Sequence, residues 1–181
     1  LENLPQNGPF ILAPNHQSFF DSLLLMMHLR GSVLKNTYFL AKEKHFGQKW
    51  KSFFASKNNV IVLDVNRDLK ESLQKMASVL SNNKNLIIFP EGTRTHTGDL
   101  GVMKNTFAML SRELKAPVVR TVIDGAYQAW PRGKKLFRPF KSINVKFLPP
   151  VNPEGHSYES LVDTVRGQIQ SGLGKPALSG I

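Results

Sequence analysis

The chain has 181 residues, 41% of them hydrophobic, which suits one domain with a substantial core. It contains no cysteine, which excludes a disulfide framework, a zinc–thiolate site and a cysteine nucleophile. The formal net charge of +11 at pH 7 predicts an anionic partner, whether a phosphorylated substrate, an acidic carrier protein, an acidic membrane surface or nucleic acid.

The first half of the chain predicts strands that alternate with helices. A short buried strand at Phe10–Ala13 is stopped by Pro14 and brings His16 to its end. An apolar helix follows from Ser18 to about Arg30, with Ser18 as its N-cap, most of its faces buried and Gly31 as its stop. The pattern then predicts a strand at Tyr38–Ala41, a basic aromatic helix at Lys42–Phe54, a strand at Val60–Leu63 and a helix at Leu69–Leu80.

The second half continues the alternation. A β-rich run at Leu86–Phe89 enters a tight loop, and the turn-rich segment His96–Gly101 is expected to be mobile over a site. Further elements are a helix at Lys104–Leu114, strands at Val118–Ile123 and Ile143–Leu148, and a helix at Tyr158–Ile169. We therefore predict an α/β fold in which a mixed, partly parallel β-sheet is flanked by helices. The single domain is set at residues 1–172, with a flexible tail at 173–181.

The candidate chemistry lies in two stretches. His16 can accept a proton near neutral pH, and Asp21, in the first turn of the following helix, can fold back to orient its ring. Taken alone this pair is a weak signal, because an Asp near a helix N-terminus is common for electrostatic reasons. The loop after Leu86–Phe89 adds a carboxylate, hydroxyls, a glycine amide and a guanidinium, from Glu91, Gly92, Thr93 and Arg94.

With four residues between His16 and Asp21, and Phe-Pro-Glu-Gly-Thr-Arg later in the chain, the sequence resembles the glycerolipid acyltransferase family. That family has an H-x4-D motif and includes the bacterial lysophosphatidic acid acyltransferases. The resemblance covers roughly residues 8 to 125. It implies transfer of a fatty acyl chain from acyl carrier protein or coenzyme A to a hydroxyl of a glycerophosphate or lysophospholipid, in phospholipid synthesis or remodelling and without a bound cofactor.

The resemblance also implies roles for individual residues. His16, oriented by Asp21, would be the general base, with no covalent intermediate. The acceptor would contact Arg67, Glu91, Gly92, Thr93 and Arg94. Glu91 would bond a glycerol hydroxyl or hold one of the arginines.

Two positions depart from the family pattern, Asn66 where the second motif has Asp and Arg120 where the fourth has Pro. The second departure puts acyl-donor contacts or acceptor choice in question. A serine nucleophile is disfavoured, because no G-x-S-x-G motif occurs.

The segment from Trp130 to Lys146 carries six basic residues and no acidic one, interleaved with aromatic residues. We expect it to dock on an anionic membrane surface or an acidic carrier protein, unless it is a solvated loop whose rings pack into the core. The proposed docking residues are Trp130, Arg132, Lys134, Lys135, Phe137 and Arg138. The apolar runs are too short to span a bilayer, so we expect a peripheral protein on the cytoplasmic face of a membrane, or a piece of a larger membrane-associated protein.

Two other classes of function stay open on the sequence. A thioesterase or lipid hydrolase would use the same His–Asp base on water, and would cleave a thioester without an acceptor. A non-catalytic lipid-binding module would bind anionic vesicles without turnover. The five histidines lack metal-ligand spacing and nucleic-acid-binding signatures are absent from the sequence, so we expect neither a metal site nor a nucleic-acid partner.

Overall fold

The computed structural model describes residues 2–42, 59–63, 69–134 and 136–174. The strands are β1 (Ile11–Pro14), β2 (Thr37–Lys42), β3 (Val60–Leu63), β4 (Asn85–Ile87), β5 (Val118–Asp124) and β6 (Asn144–Phe147). The helices are α1 (Asp21–His28), α2 (Gly31–Lys35), α3 (Leu69–Ser81), α4 (Thr106–Glu113), α5 (Ala126–Ala129) and α6 (Tyr158–Gly172). Residues 43–58, where most of the predicted basic aromatic helix falls, lie outside the described residues.

The strands form one sheet in the order β3-β2-β4-β1-β5-β6, in which all neighbours are parallel except the antiparallel pair of β5 with β6. This confirms the predicted mixed, partly parallel α/β sheet. β1 is completely buried. This fits its unbroken apolar run Ile-Leu-Ala, because a central parallel strand is covered on both faces.

Successive side chains of β1 point to opposite faces of the sheet and pack into two hydrophobic clusters, one on each face. Ile11 packs with residues of α3, α4 and α6, such as Phe107 of α4. Leu12 packs on the opposite face with Leu25 of α1. Because β4, β1 and β5 are adjacent and parallel, the segments that follow them meet at one edge of the sheet, where α/β proteins place their sites.

Helix α1 differs from its prediction in both bounds. It begins at Asp21 rather than Ser18, because the Asp21 carboxylate takes the amides of Gln17 and Ser18 and bends the chain before the helix. Phe20 occupies the N-cap position, and the buried Ser18 hydroxyl donates to Trp130 O at 3.1 Å, so Ser18 as N-cap is wrong. The helix ends at His28, and Gly31 begins α2 instead of stopping α1.

The predicted burial of α1 on most faces is also wrong. Within the helix only Asp21 and Leu25 are buried, whereas Leu23 and Met27 are 38% and 67% exposed. Phe19, just before the helix, is 44% exposed. These three residues follow one another at intervals of four and lie on one face, while Leu25 faces the sheet. Because the α1 sequence is apolar on nearly all sides of the helix, it did not indicate which side would pack against the sheet.

The C-terminal helix is longer than predicted. Ser157 caps it by accepting from Ser160 N at 3.1 Å, and the helix continues to Gly172. Leu173 packs against the core, and Gly174 N donates to Asp124 Oδ2 at 3.2 Å. The first two residues of the predicted tail are therefore held, and residues 175–181 lie outside the described part of the chain.

Candidate active site

The His16 and Asp21 side chains meet where β1 ends. His16 Nδ1 lies 2.8 Å from Asp21 Oδ2, and the same oxygen accepts from Gln17 N at 2.6 Å and Ser18 N at 2.8 Å. The Asp21 side chain is fully buried, whereas 20% of the His16 side chain is exposed. A carboxylate at Nδ1 places the ring proton there and leaves Nε2 as the acceptor. The predicted contact is present, and it gives an oriented imidazole that solvent or a substrate can reach.

Asn15, which the sequence analysis did not single out, fastens this turn to β5. Its Nδ2 donates to Ile123 O at 2.8 Å, and Ile123 N donates to its Oδ1 at 2.7 Å. The residue is 2% exposed. A side-chain amide carries a donor and an acceptor on separate atoms, so it can pair with both the N–H and the C=O of one residue. An Asn directly between a buried strand and His16 was the signal that pointed to this role.

Glu91 bridges two loops. Its Oε1 accepts from His16 N and its Oε2 from Gly101 N, each at 2.7 Å. Burial raises the pKa of Glu91, while the two amide donors act in the opposite direction. No ion pair joins Glu91 to Arg94 in the part of the chain that the structure describes, so of the alternatives for Glu91 this one has no contact behind it. A Cβ at Gly101 would stand 2.8 Å from Oε2, so the bridge depends on a glycine there.

Phe89 supplies a wall to the site. Its ring stacks on the His16 imidazole with centroids 4.0 Å apart and an interplanar angle of 26°. The neighbouring turn closes when Gly92 N donates to Phe89 O at 3.0 Å, and Gly92 has a φ of +68°, a conformation that favours glycine. The first residue of the Phe-Pro-Glu-Gly-Thr-Arg motif therefore positions the imidazole, a role the sequence analysis did not assign.

Arg94 directly precedes Thr95, whose N donates to His16 O at 2.9 Å. The Arg94 guanidinium carbon is 5.9 Å from the centre of the Phe19 ring. Burial lowers the pKa of Arg94, and the charge of Arg132 lowers it further. Thr93, which is exposed, accepts from Arg132 Nη1 at 2.8 Å. The structure therefore brings Thr93 and Arg94 together with Arg132, which the sequence analysis had assigned to docking.

The other predicted docking residues divide into two groups. Trp130 is half-buried, its Nε1 donates to Lys134 O at 2.6 Å, and its ring contacts Phe20 at a centroid distance of 4.8 Å. Lys134, Phe137 and Arg138 are exposed. Lys135 and the predicted acceptor residue Arg67 lie outside the described residues.

Arg120, which replaces a proline of the family pattern, is buried within β5. It shares its side of the sheet with Val118 and Val122, which pack into the cluster formed with α3, α4 and α6. Its guanidinium donates to Pro149 O. This departure therefore lies in the core, on the face of the sheet opposite α1.

A family model described as Acyltransferase matches residues 1–124, more than half of the chain. The chain belongs to the Acyltransferase family. Among solved structures, this Acyltransferase chain is similar to the 1-acyl-sn-glycerophosphate (LPA) acyltransferase PlsC from Thermotoga maritima. The TM-score is 0.77 and the identity 29%, over 94% of this chain and 67% of that one.

Curated relatives of the Acyltransferase chain carry the name 1-acyl-sn-glycerol-3-phosphate acyltransferase. The protein of Limnanthes douglasii is 34% identical over 97 residues, which are 53% of this chain and 34% of the relative. The protein of Cocos nucifera is 28% identical over 152 residues, covering 81% of this chain and 47% of the relative. The Bacillus subtilis protein is 29% identical over 140 residues, which are 77% of this chain and 66% of the relative. The chain thus spans between a third and a half of the length of the two plant relatives.

The described ranges offer neither a candidate metal centre nor a membrane-spanning helix. Within them, no group of three or more acidic, histidine or cysteine side chains is placed to hold a metal ion. No helix of those ranges is both long and apolar enough to cross a bilayer.

Proposed function

We propose that this protein is an O-acyltransferase that moves a fatty acyl chain from acyl-CoA or acyl carrier protein to a hydroxyl of a glycerophosphate or lysophospholipid. The observation that carries the proposal is the 2.8 Å contact between His16 Nδ1 and the buried Asp21 carboxylate. Its place in phospholipid synthesis or remodelling belongs to the same proposal, since the relatives carry acylglycerol-phosphate acyltransferase names.

His16 acts as the general base in this reaction. Nε2 takes the proton of the acceptor hydroxyl as the oxygen attacks the thioester carbonyl. When the tetrahedral intermediate collapses, the C–S bond breaks, and the proton on Nε2 passes to the departing thiolate. Asp21 keeps the ring in the required tautomer and stabilises the imidazolium. His16 returns to its starting protonation state, and at no point is the acyl chain covalently bound to the enzyme.

One oxygen of Asp21 lowers the stability of the fold, which a purely structural carboxylate would avoid. Its Oδ1 is buried, with no hydrogen-bond partner among the described residues. An unsatisfied buried polar atom typically costs about 1–3 kcal/mol of stability. Such costs concentrate at functional sites, which supports a catalytic role for the pair of His16 and Asp21.

The anionic end of the acceptor binds to arginine. Arg94 is proposed for this role because the next residue, Thr95, is hydrogen-bonded to His16 O, and because a guanidinium can hold a phosphate through two parallel hydrogen bonds. Arg67 belongs to the same proposal through its motif alone. Glu91 supports the site from the protein side, because its two oxygens accept from the backbone amides of His16 and Gly101.

Docking on an anionic membrane surface brings the enzyme to lipid acceptors. Exposed basic and aromatic residues support this part of the proposal, among them Lys134, Phe137 and Arg138. Each basic residue close to an anionic leaflet adds about 1 kcal/mol of attraction. An acidic carrier protein is the competing partner for the same residues.

The test is a turnover panel in which labelled acyl-CoA and acyl carrier protein are offered with glycerol-3-phosphate and with several lysophospholipids. We expect acceptor-dependent release of the thiol and a new ester on the acceptor. Thiol release at the same rate without an acceptor would identify a hydrolase and overturn the proposal.

Replacing His16 with Ala should lower acyl transfer by about a hundred- to ten-thousand-fold, the usual cost of losing a general base. The matched control is His28→Ala, because His28 is exposed on α1 and bonds the local Leu24 carbonyl. The control should retain wild-type turnover, and circular dichroism should show both variants folded. Wild-type activity in a folded His16→Ala protein would contradict the mechanism.

A further inference from the structure

Arg132 follows α5, far along the chain from the two motifs, yet its side chain reaches the loop that carries Arg94. Its Nη1 donates to Thr93 Oγ1 at 2.8 Å and to Arg94 O at 3.1 Å. It also lies 2.8 Å from His96 Nε2, which must be the acceptor because a guanidinium nitrogen only donates. One nitrogen thus contacts three residues of the segment 93–96, Thr93, Arg94 and His96, and because it carries two hydrogens at least one of them is shared between two acceptors.

The far end of the same loop has a separate attachment. Tyr127 Oη donates to His96 O at 2.8 Å, and Gln17 Nε2 donates to Gly98 O at 3.3 Å. A Cβ at Gly98 would stand 2.9 Å from the Tyr127 ring, so the ring lies directly against the loop backbone. The segment expected to be mobile is therefore held at His96, Gly98 and Gly101. Within segment 93–96, Thr95 N also donates to His16 O at 2.9 Å. Loss of the Arg132 contacts should therefore loosen Thr93 and Arg94, while Thr95 keeps its bond to His16.

The charges of Arg94 and Arg132 indicate what kind of group this loop can bind. Among the residues that the structure describes, neither Arg94 nor Arg132 forms an ion pair with a carboxylate. The Arg132 guanidinium lies against the Arg94 main chain, and its charge acts on the Arg94 side chain. Two like charges repel each other, and an anion bound near them relieves that repulsion. The loop is thus arranged to receive an anionic group beside His16.

We propose that Arg132 is a positioning residue of the acceptor site, which holds segment 93–96 so that Arg94 receives the phosphate of a phosphate-bearing acceptor. This inference rests on the proposed acyltransferase function. It assigns Arg132 to substrate binding through Arg94 and removes it from the residues that dock a membrane or a carrier.

The experiment compares Arg132→Gln with Arg30→Gln, which removes the same charge from an exposed arginine outside the loop and the basic segment. We expect Arg132→Gln to raise the KM for a phosphate-bearing acceptor about tenfold, the scale of a lost charge-assisted hydrogen bond. The KM for the acyl donor, and binding to anionic vesicles, should match those of Arg30→Gln. An acceptor KM equal to that of Arg30→Gln would overturn the proposal.

Two further measurements separate positioning from direct contact. If Arg132 acts through Arg94, the double variant Arg94→Gln/Arg132→Gln should have the same acceptor KM as Arg94→Gln alone. Additive effects would show that Arg132 acts independently and would overturn the assignment.

Hydrogen exchange gives a readout without turnover. The amides of Thr93 and Arg94 should exchange faster in Arg132→Gln than in Arg30→Gln, and equal exchange would overturn the positioning role. A wild-type protein without acyl transfer to any acceptor would instead overturn the proposed function, while hydrogen exchange would still decide whether Arg132 holds the loop.

Discussion

Glu91 shows how a single carboxyl group can hold the backbone of a candidate catalytic residue in place. The amides of His16 and Gly101 both donate to it, so the backbone of the candidate base and the loop after the motif close on one side chain. Desolvation is nevertheless the largest influence on its pKa, which is raised above the ordinary value. Holding the charged form in this place therefore costs stability.

This cost predicts a pH dependence. A carboxyl group whose folded-state pKa is raised binds its proton more tightly in the native than in the unfolded protein. Its contribution to the free energy of unfolding is therefore present below the unfolded-state pKa of about 4.3 and is lost as pH rises through the folded-state pKa.

Chemical denaturation of the wild type and Glu91→Gln should show this as a pH-dependent difference in unfolding free energy. The stability of the wild type relative to the variant should fall as pH rises across that window and then level off. Glu154→Gln, on an exposed glutamate, is the control for losing one acidic group. A difference that grows with pH for Glu91→Gln would contradict the assigned cause.

At the scale of elements, the junction between β1 and β5 determines where His16 stands. β1 ends at Pro14, opposite Thr121, while β5 continues to Asp124. Asn15 makes two side-chain hydrogen bonds to Ile123 in this continuation of β5, which extends the connection beyond the end of β1. The turn that carries the candidate base is thus attached to a neighbouring strand.

Replacing Asn15 with Asp should test this attachment. The carboxylate keeps an acceptor for Ile123 N but faces the Ile123 carbonyl without a donor, in a buried position. We expect the free energy of unfolding to fall by about 1–3 kcal/mol, with a parallel loss of turnover. Asn3→Asp is the matched control, because exposed Asn3 makes a comparable bond to Phe147 O. If Asn15→Asp is as stable and active as the control, the attachment has no role.

These elements show what the sequence could and could not predict. The apolar run Phe10–Ala13 located β1 because a buried parallel strand is apolar on both faces. The contact of His16 with Asp21 was predictable because the residues are five positions apart. The contacts of Asn15 with Ile123 and of Arg132 with the Arg94 loop were not, because they require the strand order. Ser18 was misassigned because the capping preference of serine was outweighed by the Asp21 carboxylate.

At the scale of the whole molecule, one surface combines exposed apolar and basic side chains. Phe20 and Phe137 rings lie 5.6 Å apart, which joins the start of α1 to the basic segment. Its exposed side chains are Phe19, just before α1, Leu23 and Met27 of α1, and Lys134, Leu136, Phe137, Arg138 and Phe140 of the basic segment. Aromatic and basic residues in such proximity suit the headgroup region of an anionic bilayer.

Met27 offers a test that spares the candidate site. Met27→Glu removes an exposed apolar side chain and adds a repelled charge, so binding to anionic vesicles should weaken severalfold at low salt. Leu69→Glu is the control, since Leu69 is also exposed but begins α3, which packs on the opposite face of the sheet. Equal binding by both variants in vesicle co-sedimentation would exclude α1 from the docking surface.

The bond between His16 N and Glu91 also bears on the order in which the protein folds. It joins residues 75 positions apart, whereas His16 and Asp21 are separated by only five. Long chain closures are slow because their entropy is lost before any contact compensates for it. A refolding chain therefore acquires its His–Asp contact before the surroundings that orient it. Regain of enzymatic activity would then mark completion of the central sheet rather than formation of the pair.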